Sequence, residues 1–117
     1  MNNPFWWLHV ATHLWRAYFS IIHSPSDLSP ANLRKYDICN AAYARLTLSD
    51  RSIVRAIYDS PCRDVNQNIE RYSTQSGIPS EFIYTVRNKA NRIVMEELGI
   101  VDREIPVQKR GEIYEQE

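Results

Sequence analysis

The sequence predicts an all-α protein, a single domain of five helices with a short irregular C-terminal tail. Three observations carry this. Apolar residues recur three and four apart over long stretches, which is the period of a helix and not of a strand. Serine or aspartate, in places next to proline, precedes several of these stretches, as helix starts require. Only three glycines occur in 117 residues, and two of them sit where a helical stretch stops. Hydrophobic residues make up 44% of the chain and charged residues 24%, a globular composition rather than a disordered one. This length supports one modest core.

The first helix is predicted over residues 5–22, starting at Phe5. Trp7, Ala11, Leu14, Tyr18 and Ile21 form one stripe, and Leu8, Trp15, Phe19 and Ile22 form a second beside it. The first reading of this wide aromatic face is core packing. The second is a homodimer interface, because three tryptophans and a Phe are hard for one small domain to cover. His9, Thr12, His13 and Arg16 argue against a membrane span, since a mid-span arginine costs at least ~2.5 kcal/mol. No basic residue precedes the stretch and no small-residue cleavage site ends it. A signal peptide is therefore not expected, and a cytoplasmic location is.

Ser24-Pro25-Ser26-Asp27 has turn chemistry. Ser29 as N-cap and Pro30 at the first helical position open a second helix. Leu33, Tyr36, Cys39 or Asn40, and Tyr43 give it an inward face, and it ends near Leu46. Ser49 is expected to cap a third helix through Ile53, Val54, Ile57 and Tyr58, closed by Ser60-Pro61. Asp64 caps a fourth over residues 65–76. Gly77 supplies a turn, and Pro79 or Ser80 opens the fifth and longest helix, which runs to Leu98 and is C-capped by Gly99. The chain thus divides into a helical pair for core or dimerisation (1–47), a second helical region (48–99) and a polar tail (100–117).

Formal net charge is zero and the pI is about 6.8. The charge is uneven. Residues 1–48 carry four basic and two acidic side chains, and residues 102–117 carry three basic and five acidic ones. An acidic tail therefore masks a slightly basic body, and a local basic face suffices for a nucleic-acid partner.

Residues 68–94 have the pattern of a helix-turn-helix. Two helices crossing steeply need a tight turn. Gly77 accepts a left-handed backbone there. Ser73, four residues earlier, is small enough for the crossing, and Tyr72, Ile78, Ile83 and Val86 flank it. Ser76 is polar where the motif usually has an apolar residue. The run Gly77-Ile78-Pro79-Ser80-Glu81-Phe82-Ile83-Tyr84-Thr85-Val86-Arg87-Asn88-Lys89-Ala90 resembles the last helix of sigma-factor region four. The segment from Leu46 through Tyr58 resembles the helix before that motif. The layout is similar to phage late transcription activators of the RinA and ArpU groups. The resemblance spans residues 46–98, with a longer spacer between Tyr58 and Tyr72 than in sigma factors.

The resemblance implies a sequence-specific DNA-binding transcription regulator of phage or bacterial type. It implies double-stranded DNA and RNA polymerase as partners, and no cofactor. The leading half of the fifth helix then enters a major groove. Phe82, Ile83, Val86 and Ala90 are its core positions. Ser80, Glu81, Tyr84, Thr85, Arg87, Asn88 and Lys89 point outward, with Asn91 and Arg92 further along. Arg87 or Lys89 suits guanine, Asn88 adenine and Glu81 cytosine. Ser80 and Thr85 suit phosphates, and Arg63 and Arg71 reach the backbone from the fourth helix. A dimer would read half-sites about one duplex turn apart. The alternative is a non-enzymatic interaction or phage packaging module, small-terminase-like, with the motif as scaffold. The DNA-binding reading needs Arg87, Lys89 and Arg92 on one continuous basic face, whereas the alternative predicts a mixed or acidic face there and an exposed patch at Trp6, Trp7 or Trp15.

No other constellation points to chemistry. His9 and His13 are four apart, a metal-compatible spacing, but lack the glutamate of metalloproteases, and boundary histidines are expected. Cys39 and Cys62 form no metal-type pair. Sequence leaves a disulfide open, but without a secretion signal reduced thiols are expected. Glu96-Glu97 reads as the solvated end of a helix. Nothing argues for an enzyme.

Overall fold

Local signals place the helix ends. The computed structural model describes residues 7–25 and 29–100. It contains α1 (Leu8–His23), α2 (Pro30–Ala44), α3 (Leu48–Tyr58), α4 (Val65–Ser76) and α5 (Ser80–Leu98), and no strand among the described residues. Ser29 caps α2 by accepting a hydrogen bond from the Asn32 N–H at 3.2 Å, with Pro30 behind it. Asp64 caps α4 in the same way, its Oδ1 accepting from the Gln67 N–H at 3.2 Å. The cap of α3 is Thr47 and not Ser49. Thr47 Oγ1 accepts from the Asp50 N–H at 3.1 Å, and Ser49 lies inside the helix. The expectations for Phe5, Trp6, Ser26, Asp27 and the tail beyond Ile100 lie outside the described residues.

One hydrophobic core draws on all five helices. α5 packs against each of the other four, so it is the central rod of the fold. Among the described residues no helix is long and apolar enough to cross a membrane. Both apolar stripes of α1 feed the core: Ala11, Leu14, Trp15, Tyr18, Phe19 and Ile21 are buried. Trp15 is fully enclosed, with ring centroids at 6.0 Å from Tyr18, 6.4 Å from Phe19, 6.2 Å from Tyr43 and 6.4 Å from Tyr58. Trp15 is therefore not part of an exposed patch, and Trp7 is half-buried against the same core.

On α2, Cys39 and Ala42 are fully buried, and α2 meets α1 through Cys39 at Leu14 and through Tyr36 and Tyr43 at Tyr18. Asn40 lies at the margin, where its Oδ1 accepts from the Tyr18 hydroxyl at 2.9 Å. Leu33 is 46% exposed, contrary to expectation. At about 100° per residue it sits about 120° around α2 from Cys39, off the face that Cys39 and Ala42 define.

Cys39 and Cys62 are both free thiols. Cys39 donates to the Leu14 carbonyl at 3.3 Å, and burial pushes its thiol up to about 12. Cys62 is only partly buried. At mildly alkaline pH, dithionitrobenzoate is expected to titrate Cys62 in the native protein and Cys39 only after denaturation, because the thiolate is the nucleophile. Two equally fast thiols would contradict this packing.

Candidate nucleic-acid interface

α4 and α5 are joined by three residues, Gly77, Ile78 and Pro79. The turn is closed by short-range bonds. The Gly77 N–H donates to the Ser73 carbonyl at 2.9 Å. The Ser73 hydroxyl donates to the Ile78 carbonyl at 2.6 Å, and the Ile78 N–H donates to Ser76 Oγ at 3.1 Å. Ser73 and Ser76 are thus used for their hydroxyls, which explains a polar residue at position 76. Gly77 has φ 81°, while an added Cβ would meet nothing within 4 Å. The position demands glycine for its backbone and not for space. Gly77→Ala is expected to lower stability by about 1 kcal/mol through left-handed strain, with a smaller loss for Gly77→Asn. Urea midpoints for the two variants would check this, and equal stability for all three proteins would contradict it.

Along α5, Ile83, Val86, Ala90, Asn91, Val94 and Met95 are buried. Two sequence expectations are corrected here. Phe82 is 52% exposed and not a core residue. It lies about 100° back around the helix from buried Ile83, on the opposite edge of the apolar face from Tyr84. Asn91 is buried and not outward. The Tyr58 hydroxyl donates to Asn91 Oδ1 at 2.8 Å, so α3 and α5 meet at a buried polar contact. Burial raises the Tyr58 pKa above its ordinary value.

The leading half of α5 projects Glu81, Phe82, Thr85, Asn88 and Lys89 into solvent. Its start carries no side-chain cap, and in its first turn the Phe82 N–H donates to the Pro79 carbonyl at 3.0 Å. Ser80 is half-buried there, and the Thr85 hydroxyl is occupied by the Glu81 carbonyl at 3.0 Å.

Contrary to what the DNA-binding reading required, Arg87, Lys89 and Arg92 do not form one continuous basic face. Arg87 lies on the flank toward α4, about 140° around the helix from Arg92 and about 160° from Lys89. Lys89 forms an ion pair with Asp50 of α3, whose side chain is only 7% exposed. Arg92 pairs with Glu96 at 3.1 Å. Arg87 is different. Its guanidinium lies 5.1 Å from the centroid of the Tyr84 ring. Nη1 donates to Asn66 Oδ1 of α4 at 3.4 Å, while Nε and Nη2 donate to Asn88 Oδ1 at 3.3 and 3.1 Å. The Tyr84 hydroxyl in turn donates to Glu70 Oε2 at 3.4 Å. Arg87 makes no ion pair with a carboxylate among the described residues.

The structure therefore gathers Tyr84, Arg87 and Asn88 against α4 and turns Lys89 toward α3. Arg71 does not reach outward alone: its Nη1 donates to Asn68 Oδ1 at 3.0 Å. Asn68 is buried and donates to the Ile57 and Cys62 carbonyls, both at 3.0 Å, fixing the start of α4. The roles of Asn66 and Glu70 escaped the sequence reading. They lie 21 and 14 residues from their partners on α5, beyond any helical spacing. No protein-family model, curated protein or solved structure matches this chain.

Proposed function

We propose that this protein binds double-stranded DNA through α4, Gly77 and the leading half of α5, as a sequence-specific, non-enzymatic regulator acting with RNA polymerase in the cytoplasm. The observation that carries the reading is Arg87. A guanidinium is always charged, and this one is stacked on Tyr84 and oriented by two amide oxygens, with no carboxylate paired to it among the described residues. Such a group is preorganised for a phosphate or for the paired acceptors of guanine. Asn88 is exposed beside it, and reading adenine with both amide atoms requires its Oδ1 to release Arg87. Phe82, on the exposed edge of the same helix, offers an apolar contact to a thymine methyl group.

The test is fluorescence anisotropy with a duplex selected from random sequence, at two salt concentrations. Arg87→Ala is expected to weaken binding by ~1–3 kcal/mol. Lys89→Ala is expected to cost less, because Asp50 already neutralises that charge. Affinity indifferent to salt and to Arg87→Ala would overturn the assignment, since phosphate neutralisation releases counterions and must respond to salt.

A further inference from the structure

A groove of about 780 Å³ runs between α1 and the link from α3 to α4. That volume falls within the rough 300–1,000 Å³ of small-molecule sites. Arg16 and His13 line it from α1, and Arg63 lines it from the link. Ala17, Phe19 and Pro61 contribute apolar surface.

The charge of this groove is one-sided. Arg16 of α1 and Arg63 of the link are permanent cations in its lining. Asp59 is the acidic residue in the lining, and it is already shared by His23 at 2.8 Å and Arg55 at 3.1 Å. Lys35 adds a further ammonium 3.2 Å from His13 Nε2. Arg16 is held in place, its Nη2 donating to the Ser60 and Cys62 carbonyls at 3.3 and 3.4 Å. Its Nη1 is buried and has no hydrogen-bond partner among the described residues. A buried guanidinium nitrogen without an acceptor is rare and costly.

We propose that this groove binds an organic phosphate monoester. Two guanidiniums lining one groove suit a dianion with three acceptor oxygens, whereas a lone carboxylate fills one fork. The volume and the apolar lining accommodate the organic body, which inorganic phosphate lacks. A ligand held by both Arg16 and Arg63 clamps α1 to the link that leads into α4. The site is independent of the DNA-binding surface, and its test uses no DNA.

The experiment is calorimetric titration of the full chain with AMP and with glycerol phosphate, alongside adenosine, inorganic phosphate and a thymidine dinucleoside monophosphate. At least one monoester is expected to bind with a dissociation constant of about 1 mM or tighter. Adenosine should not bind, and inorganic phosphate and the phosphodiester should bind more weakly than the monoester. Arg63 is exposed, so Arg63→Ala is expected to keep the fold and to weaken the monoester about tenfold, the loss of one charge-assisted contact. Amide shifts in a nitrogen-edited spectrum should map to α1 and the α3–α4 link. Failure of both monoesters, adenosine binding as well as AMP, an unaffected Arg63→Ala variant or shifts elsewhere would each overturn the proposal. A diester that matches the monoester would also overturn it and would place a nucleic-acid backbone in the groove.

Discussion

Trp15→Ala is expected to destabilise the protein by ~3–5 kcal/mol, the range for truncating a buried aromatic side chain. Trp15 has no exposed surface and lies within ring contact of Tyr18, Phe19, Tyr43 and Tyr58, so its removal opens a cavity at the meeting point of α1, α2 and α3. Domains of this kind are stable by only about 5–15 kcal/mol, so the loss is a large share of the total. The indole Nε1 is buried without a hydrogen-bond partner among the described residues. Trp15→Phe therefore removes an unsatisfied donor while keeping most of the ring, and its cost should be well under half that of alanine. Urea denaturation of the two variants measures both effects. A Trp15→Ala protein as stable as the parent, but defective in binding a partner, would restore the interaction-module reading of the aromatic helix.

Arg45→Ala is expected to cost roughly 2 kcal/mol, between the scales for an exposed pair and a buried one, because Arg45 itself is exposed while the Glu96 side chain is only 3% exposed. Glu96-Glu97 is not the solvated helix end that the sequence suggested. Arg45 Nη2 donates to Glu96 Oε1 at 2.6 Å, and Nη1 donates to Glu97 Oε2 at 2.9 Å. The Glu96 side chain is only 3% exposed and also accepts from Arg92 Nε at 3.1 Å. The fork of Arg45 thus ties the end of α2 to the last turns of α5, some fifty residues later in the chain. Without it, Glu96 keeps one cation for a carboxylate largely withdrawn from water. Adding Glu96→Gln to Arg45→Ala should recover part of the loss, and a double-mutant cycle isolates the coupling. A cost of only a few tenths of a kcal/mol would show that the contact behaves as an exposed surface pair.

The two effects bear on the proposed interface because α5 is shared between them. Its trailing half is locked by Asn91, Val94, Met95 and the Arg45 fork, while its leading half presents Arg87 and Asn88. Loss of packing at Trp15 or Arg45 should therefore reach DNA binding only through global stability. Arg87→Ala should weaken binding without moving the urea midpoint appreciably. That separation distinguishes a contact residue from a structural one.

Much of the fold was legible in the sequence where the relevant physics is local. Ser29, Asp64, Gly77 and Gly99 mark helix ends because capping joins atoms within a turn of one another. The ends of α4 and α5 fall where that reading puts them. The misplaced cap of α3 was an error between two hydroxyls two residues apart, Thr47 and Ser49, either of which can accept from the next turn. The candidate site was only partly legible. Periodicity put the leading half of α5 at the surface, yet it misassigned Phe82 and Asn91. Which edge of an amphipathic helix is covered depends on the helices that pack beside it.

By itself the sequence determined that the chain is helical, where α4 and α5 begin and stop, and that Gly77 must turn left-handed between them. Tertiary structure alone decided which cations remain uncompensated. Lys89, Arg92 and Arg45 are neutralised by Asp50, Glu96 and Glu97, whereas Arg87 rests on an aromatic ring and two amides. The reason is one of range. Capping and turn formation are settled by neighbours along the chain, but the net charge at a surface depends on which distant helix brings a carboxylate within a few ångströms.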